Sequence, residues 1–383
     1  MIYIFVLCVL IFFSLLEFCD FKELYAVKKL SLDKIVFVFT AFLMFCIAAF
    51  RYETGRDWQV YIEFFDKCII SKNSFGFEAG FSFINRFFKE LAGSFYFMQF
   101  CIMAFCCLCV YKSFYRRSDY PVLTLFLYFT MFFLQTDMAQ TRQHLVMGIL
   151  LCGMTFIKNR KFLCWCLVVF FAMQFHVSAI MALPLYFTTE KKVPVKICVV
   201  LFLSSVIITF FGLAAIRTCL ESFVRLPFLP ERINVIGNAY LNSKIYGQQG
   251  QFGTGLGFIV RYTFIACIIL FYSIIKKEKP EKNYYILNFF IALVFQAMGR
   301  NFDQFSRIAN YYLICGGGIC AYNLLLDAKT FFKKLEIVKI IICVLFLMFM
   351  LFNFWKLWTV PSEHFNSYQQ DYTPYHSIVF EGN

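Results

Sequence analysis

The stretch FLCWCLVVFFAMQFHVSAIMALPLYF, residues 162–187, decides the fold, because the topology of every later segment depends on how it crosses a membrane. As one helix it would be about 39 Å long, against a hydrocarbon core of about 30 Å. A single crossing would also place Lys191 and Lys192 outside and invert each later lysine cluster. Lysines beside membrane segments favour the cytoplasm, so a turn near His176 fits the sequence better.

We therefore predict a broken pair of short helices that meet near His176. Each arm is too short to span a bilayer alone, so the turn would lie below the outer surface, where protein or water must cover its backbone. The alternative is one long tilted helix, with another membrane segment miscounted elsewhere.

The rest of the chain has the composition of a membrane protein. It has 383 residues, of which 61% are apolar, and long apolar runs predict an all-α polytopic membrane protein with about 11 or 12 transmembrane segments. We expect the first run to be a retained helix and not a removed signal peptide. The candidate spans are 2–19, 34–50, 94–112, 121–136, 138–157, 162–187, 193–213, 257–275, 284–298, 308–326 and 337–356.

The basic residues set the expected orientation. The net charge is +13, and lysines gather in short loops between spans, which is typical of cytoplasmic loops and of contact with anionic lipid and excludes nucleic acid as the preferred partner. With the turn at His176, both termini face outward. We predict a single membrane domain over 1–383, with outer loops at about 51–93 and 214–256 and an outward-facing tail at 357–383.

The cysteines and loops give no sign of a metal or nucleotide. Most of the 17 cysteines lie inside apolar runs, where a thiol is a small hydrophobe, and their spacing is not that of a metal site. Cys68 and Cys219 fall in the long outer segments, which leaves a disulfide between them open. No phosphate-cradling motif is present, so we expect no cofactor and no metal.

The outer segments hold most of the arginines, against the orienting rule. Three of them follow predicted helix starts, where a cation costs about 0.3–1 kcal/mol unless an anion binds there too. The alternative is that each arginine snorkels to lipid headgroups. The three are Arg142 after a cap at Asp137, Arg261 after Thr254–Gly257, and Arg307 after a cap at Ser306.

An amphipathic helix is predicted over FEAGFSFINRFFKELAG, residues 77–93, lying at the outer membrane interface. Its polar face is either solvated or, through Glu78 and Asn85, the lining of a sugar-binding cleft. The expected apolar face is Phe77, Phe81, Ile84, Phe88 and Leu91, and the polar face is Glu78, Ser82, Asn85 and Lys89.

Short motifs in a fixed order resemble the EpsG-like family of bacterial polysaccharide polymerases, related in role to the Wzy polymerases of O-antigen and capsule. The resemblance covers nearly the whole chain. The motifs are Arg51-x-x-x-Gly55-x-Asp57-Trp58 with Tyr61, Glu78-x-Gly80-Phe81 with Asn85, Arg142-Gln143, FHVSAIMALPLY around His176, the pair Arg300 and Arg307, and YTPYHSIVF in the tail.

The resemblance implies a membrane glycosyltransferase on the outer face of the bacterial cytoplasmic (inner) membrane. Its substrates would be oligosaccharides carried on undecaprenyl diphosphate, in lipopolysaccharide O-antigen or capsule biosynthesis, and a chain-length regulator would be a further partner. The growing chain would pass from its lipid diphosphate to the terminal sugar of a new unit, without a metal.

Chemical reasoning then assigns roles to the outer residues. Guanidinium donors stabilise the charge that grows on a departing diphosphate, and an acceptor hydroxyl needs a base or an oriented acceptor. The predicted catalytic residues are Asp57, Glu78, His176 and Arg142. The predicted diphosphate or sugar contacts are Arg51, Arg56, Tyr61, Asn85, Gln143, Arg261, Arg300 and Arg307.

Three other functions fit parts of the pattern. A flippase or other transporter of lipid-linked oligosaccharide should carry charges along a path through several helices, whereas here charge concentrates on one side. An O-antigen ligase differs only in its acceptor. A membrane O-acyltransferase should place its histidine nearer the cytoplasmic acyl donor.

Overall fold

The protein is built almost entirely of helices in a computed structural model, which confirms the predicted all-α class. Two strands of two residues each, Arg51–Tyr52 (β1) and His376–Ser377 (β2), form an antiparallel pair. The structure describes residues 2–18, 32–68, 76–188, 193–224, 238, 256–275, 281–299, 303–325, 336–361 and 366–381.

The chain divides into two compact units. The first comprises residues 1–186, 322–361 and 366–383, and the second comprises 187–321 and 362–365. Whether the whole chain acts as one membrane domain stays a prediction.

The helices of the first unit follow the predicted spans closely over its amino-terminal part. They are α1 (Ile2–Phe18), α2 (Leu32–Ala49), α3 (Trp58–Lys67), α4 (Ala79–Ala92), α5 (Phe95–Arg117), α6 (Pro121–Tyr128, continued by a π-helical turn Phe129–Phe133 and a helical turn Leu134–Thr136), α7 (Thr141–Lys158), α8 (Phe162–Met173) and a 3₁₀ helix Val177–Tyr186.

The remaining helices are as follows. They are α9 (Val195–Val224), α10 (Leu256–Ile275), α11 (Glu281–Gly299), α12 (Asp303–Asn310) with a π-helical turn Tyr311–Cys315, a 3₁₀ helix Gly318–Leu325, α13 (Glu336–Thr359), α14 (Tyr368–Tyr372) and α15 (Ile378–Glu381).

In the first unit, glycines let α7 approach its neighbours closely. A Cβ atom on Gly148 would lie 2.8 Å from the Phe105 ring of α5, and one on Gly153 would lie 2.6 Å from the Val168 side chain of α8. Small residues at helix contacts are the usual means of tight packing between apolar helices. The order α5–α7–α8 is thereby fixed.

A buried carboxylate joins α1 to the start of α6. Glu17 is 2% exposed and accepts hydrogen bonds from the backbone N–H groups of Val122 at 3.2 Å and Leu123 at 2.9 Å. Pro121 precedes them at the first position of the helix. An anion at a helix N-terminus meets unpaired N–H groups and the positive end of the dipole, which offsets part of its cost of burial.

The structure confirms that the chain turns back at His176. Helix α8 ends at Met173, and the 3₁₀ helix returns beside it. The Trp165 indole donates a hydrogen bond to the Leu183 carbonyl at 3.2 Å, and the rings of Phe162 and Tyr186 meet at 4.9 Å. At about 18 Å and 20 Å, neither arm matches a hydrocarbon core of about 30 Å.

Helix length and apolar composition indicate which helices could cross a membrane. Within the described ranges, two helical stretches are long and apolar enough to cross a bilayer, Phe95–Arg117 and Val195–Gly212. Shorter apolar helices of 10–17 residues occupy most of the other predicted spans. The number of transmembrane segments therefore stays a prediction.

Some predicted helix boundaries were wrong. The span 308–326 is not one helix, since α12 ends at Asn310 and a 3₁₀ helix begins at Gly318. Ser306 does not cap a helix, because α12 already begins at Asp303, and Arg307 lies in its last turn. Asp137 is not a cap either: α7 starts at Thr141, after Gln140.

The amphipathic helix at 77–93 is present as α4, but its faces differ from the prediction. Phe81 is buried as expected, whereas Leu91 is 62% exposed. Asn85, predicted on the polar face, is fully buried beside Phe81 and donates a hydrogen bond to the Phe81 carbonyl at 2.8 Å. The solvated-face alternative is thus wrong for Asn85, and contact with lipid stays a prediction.

The turn at His176 predicts that both ends of the 162–187 stretch lie on the cytoplasmic side. A short epitope inserted at Asn159 and another inserted before Val193 should each bind antibody only after the cells are permeabilised. An epitope at Gly93, in the predicted outer segment, is the control and should bind antibody on intact spheroplasts. Binding at Val193 on intact spheroplasts would mean a single crossing.

Candidate functional site

Among the described arginines of the predicted site, Arg51 is the most completely enclosed, with 1% of its surface exposed. Its Nη1 donates to the carbonyls of Ala48 at 2.8 Å and Asp137 at 2.9 Å. Its Nη2 donates to the Thr141 hydroxyl at 3.0 Å. The guanidinium therefore connects the end of α2 with the start of α7, and its predicted contact with diphosphate stays a prediction.

Burial also affects the charge of this residue. It lowers the pKa of the Arg51 guanidinium from its usual value, while nearby tyrosines, Tyr372 first, and Asp137 act in the opposite direction. Arginine keeps its proton in proteins even so. A fixed positive charge thus lies inside the first unit.

Gly55 explains the glycine in the Arg51-x-x-x-Gly55 motif. Its φ is +111°, a region open to glycine and strained for other residues. A Cβ atom here would overlap the Met138 carbonyl oxygen. The segment after β1 can therefore lie against the 137–140 loop only with glycine at this position.

Arg56 binds the carboxyl-terminal tail. Its Nε donates to Asp371 at 2.5 Å, its Nη2 donates to the Asn366 carbonyl at 2.7 Å, and its guanidinium lies 4.1 Å from the centre of the Tyr368 ring. The Arg56 side chain remains 23% exposed. Sequence analysis missed Asp371 and Tyr368, because nothing in the tail motif indicated a partner more than 300 positions away.

The tail continues along the same segment. β2 pairs with β1, so that Ser377 lies opposite Arg51. The Tyr372 hydroxyl donates to the Leu134 carbonyl at 3.1 Å, and the Tyr375 hydroxyl donates to the Ile47 carbonyl at 2.9 Å. Residues 366–378 are thus part of the structure that supports the predicted site.

Glu78 and Arg142 meet at the turn of the hairpin. Arg142 Nη1 donates to Glu78 Oε2 at 2.7 Å, and the backbone N–H of Val177 donates to Glu78 Oε1 at 3.1 Å. The two side chains are 20% and 22% exposed. One carboxylate therefore joins the start of α7 to the start of the 3₁₀ helix, at a position that solvent reaches.

The first turn of α4 rests on the same turn. The backbone N–H groups of Gly80 and Phe81 both donate to the Gln174 carbonyl, at 2.7 Å and 3.2 Å. A Cβ atom on Gly80 would lie 2.7 Å from that oxygen. The glycine of the Glu78-x-Gly80-Phe81 motif thus allows the close approach that brings Glu78 to the hairpin.

Aromatic rings surround the Arg142 guanidinium. Its central carbon lies 4.4 Å from the Phe77 ring centre and 5.9 Å from that of Phe81, within the range of cation–π attraction. Tyr61 forms a side-chain hydrogen bond with Arg142. Burial raises the pKa of Tyr61, Asp57 adds to the rise and Arg142 opposes it, so Tyr61 is a neutral phenol beside the guanidinium.

His176 has a defined hydrogen-bond pattern on one ring nitrogen. The Ser178 backbone N–H donates to Nδ1 at 3.2 Å, and the Ser178 hydroxyl lies 2.8 Å from the same nitrogen. Because Nδ1 accepts the backbone N–H, the neutral ring carries its proton on Nε2. In this tautomer Nε2 of His176 is a hydrogen-bond donor and cannot act as a base.

The other predicted contacts in the first unit vary in exposure. Asp57 is half-buried and precedes α3 without capping it, while Gln143 is 2% exposed and Asn85 is fully buried. Direct contact of any of them with a substrate stays a prediction.

The second unit holds two of the last three predicted arginines, Arg261 and Arg307. Arg261 on α10 is half-buried and donates a hydrogen bond to the Gln296 side chain of α11. Arg307 is half-buried in α12. Arg300 lies outside the described residues.

A buried polar cluster was missed by the sequence analysis. Asp137 and His144 are both fully buried, with 3.6 Å between Asp137 Oδ1 and His144 Nδ1. The hydroxyls of Tyr111, at 2.8 Å, and Tyr128 donate to the two Asp137 oxygens. An acid and a histidine inside apolar runs was the available signal.

The described residues hold no cluster of metal-ligating side chains. Among the described residues, no group of three or more His, Cys, Asp or Glu side chains is arranged to hold a metal ion. Cys68 and Cys219 are both free thiols, so the open disulfide is not formed.

A family model decides the relationship. The EpsG family model matches residues 34–377. The chain belongs to the EpsG family. No curated protein and no solved structure matches the chain.

The EpsG match extends from α2 to β2 and therefore includes every residue described above around Arg51, Glu78 and Arg142. It ends at Ser377, the residue that pairs with Arg51. The family and the apolar helices together indicate a membrane protein with a polysaccharide-polymerase type of function.

Replacing Gly80 tests the seating of α4 on the hairpin. We expect Gly80→Ala to lower stability by about 1–3 kcal/mol, because the methyl group would press on the Gln174 carbonyl. The measurement is the apparent Tm of detergent-extracted protein by fluorescence-detected size exclusion. Ser82→Ala, half a turn further along α4, is the matched control, and equal Tm values for the two variants would contradict the close contact.

Proposed function

We propose that this EpsG-family chain is a polysaccharide polymerase. It joins oligosaccharide repeat units carried on undecaprenyl diphosphate, on the outer face of the bacterial cytoplasmic membrane. The growing chain leaves its lipid diphosphate and is attached to the terminal sugar of a new unit. In this proposal both termini face outward, and a chain-length regulator is an additional partner.

The observation that carries the proposal is the Glu78–Arg142 pair at the hairpin turn. Arg142 is held by Glu78 through Nη1, and its side chain remains 22% exposed. A partly exposed guanidinium is suited to an anionic ligand, because its fork of N–H groups fits phosphate oxygens. The adjacent Phe77 and Phe81 rings keep the group in place.

The chemistry asks for stabilisation of a leaving anion. When the bond between the sugar and the diphosphate breaks, negative charge grows on the diphosphate oxygen. A fixed guanidinium at that position lowers the barrier more than it stabilises the bound substrate. Arg142 is proposed for this role, and Arg56, Arg261, Arg300 and Arg307 remain proposed as further diphosphate contacts.

The acceptor hydroxyl needs a group that takes or orients its proton. Glu78 accepts hydrogen bonds on both oxygens, from Arg142 and from the Val177 N–H, so both oxygens are already engaged by protein donors. The His176 tautomer favours donation from Nε2, so we propose that His176 hydrogen-bonds an anionic oxygen of the substrate. Asp57, beside Tyr61, is left as the proposed base. Tyr61, Asn85 and Gln143 are proposed to support the sugar side.

Deletion in the native host tests the function directly. Surface polysaccharide from the deletion strain should run on gels as single repeat units, and the wild-type gene should restore the long ladder. Long polymer retained on carrier lipid would indicate a ligase instead. Repeat units trapped on the inner leaflet would indicate a transporter.

Charge removal at the Glu78–Arg142 pair should reduce polymer length. Arg142→Gln and Glu78→Gln each remove the ion pair and its charge-assisted hydrogen bond of about 1.5–3 kcal/mol, which corresponds to roughly 10- to 100-fold in rate. The measurement is the ladder produced in the deletion strain at equal membrane levels. Lys89→Ala, which breaks the exposed pair between Lys89 of α4 and Asp66 of α3, is the control. Wild-type ladders in both site variants would exclude the pair.

Two replacements of His176 separate its ring nitrogens. Gln places a donor near the Nε2 position, whereas Asn preserves an acceptor near Nδ1. If Nε2 donates to the substrate, His176→Gln should keep more activity than His176→Asn, by about tenfold. The readout is polymer formed per unit of membrane protein. The reverse order, at equal protein levels, would assign His176 to the hairpin turn alone.

A further inference from the structure

The strongest unassigned feature is the buried cluster around Asp137. Its carboxylate is fully buried and receives the Tyr111 and Tyr128 hydroxyls, with His144 at 3.6 Å. None of these side chains has a part in the proposed chemistry. A carboxylate at such a place costs free energy, so it needs a compensating charge.

Arg51 supplies the opposite charge. Arg51 is 1% exposed and Asp137 is 0% exposed, and Arg51 Nη1 donates to the backbone carbonyl of Asp137 itself. One buried cation and one buried anion thus belong to the same small region of the first unit. Removing either one leaves the other uncompensated.

The 137–140 loop, which leads into α7, is held from several directions. Tyr372 donates to the Leu134 carbonyl before it, and Gly55 lies against the Met138 carbonyl within it. Arg51 Nη2 donates to the Thr141 hydroxyl after it. Side chains and backbone of the loop are therefore both fixed, over the residues that directly precede Arg142.

Arg142 follows Thr141 directly, and its Nη1 donates to Glu78 Oε2 at 2.7 Å. A shift of the loop by even 1 Å would break that geometry, and misplacement on this scale costs about 10²-fold in catalysis. The contacts of Arg51 therefore bear on the site through the backbone, although Arg51 itself is enclosed.

We propose that Arg51 and Asp137 form a buried pair of opposite charges that positions the start of α7, and with it Arg142, for the reaction. The proposal rests on the proposed function. Arg51 and Asp137 are positioning residues, and Arg51 acts on the diphosphate only through Arg142.

The charge pairing predicts a compensation pattern in stability. Arg51→Met and Asp137→Asn alone should each strongly reduce the amount of folded protein in the membrane, whereas the double variant should recover much of it, because no unpaired charge remains. The measurement is the monodisperse full-length protein extracted in detergent. A double variant no more abundant than the worse single variant would overturn the pairing.

A double-mutant cycle tests the path through Arg142. The variants are Arg51→Lys, Arg142→Lys and both together, in purified full-length protein supplied with lipid-diphosphate-linked repeat units isolated from the polymerase-deletion strain. We expect Arg51→Lys to lower kcat about tenfold or more with less than about threefold change in KM. The combined variant should lose little beyond Arg142→Lys alone, since both changes disturb one group.

Each other result of the cycle has a definite meaning. Losses that multiply would assign Arg51 to the substrate directly and overturn the positioning role, and an unchanged kcat per folded molecule would reduce Arg51 to a folding residue. Arg86→Lys, at an arginine that donates to the Cys68 carbonyl at 3.0 Å, is the control and should keep kcat. Wild-type protein that makes no polymer would sink the proposed function, whereas the compensation pattern would still decide the pairing.

Discussion

Enclosing a guanidinium costs free energy unless protein acceptors take its hydrogen bonds. In the first unit both Nη groups of Arg51 meet such acceptors, while its buried Nε has no hydrogen-bond partner. Two backbone carbonyls and one hydroxyl receive its Nη groups, and Asp137, which supplies one of those carbonyls, also carries a buried carboxylate. Because those acceptors belong to the end of α2 and the start of α7, the same contacts fix two segments that are far apart in sequence.

Further contacts reinforce the link between the end of α2 and the start of α7. Gly55 allows the segment after β1 to lie against the Met138 carbonyl, and the tail adds β2, Tyr372 and the Asp371 partner of Arg56. Three stretches, at about 50–57, 134–142 and 366–377, therefore form one local structure. The family match, which ends at Ser377, includes all three, and this explains why motif residues occur so near the carboxyl terminus.

The sequence predicted what depends on local pattern and length. Apolar runs and lysine placement were enough for the helices and for the return at His176, and periodicity was enough for α4. It did not predict that Asp137 turns inward, since its partners Tyr111 and Tyr128 come from other helices. The burial of Asn85 was missed for the same reason. An acid before a helix is statistically a cap, and only tertiary contacts overrule that preference.

The arginines of the motif thus divide by what their donors meet. Arg51 is 1% exposed and has its Nη donors on protein acceptors inside the fold, whereas Arg142 gives Nη1 to Glu78 and keeps 22% of its side chain exposed. Glu78 in turn is fixed by the Val177 N–H. A guanidinium that the protein already orients and that stays partly exposed needs little reorganisation when an anion arrives, which is the condition under which a charge lowers a barrier most. The two arginines therefore have different roles in one site. Arg51 holds the loop that leads into α7, and Arg142 at the start of α7 stays partly exposed.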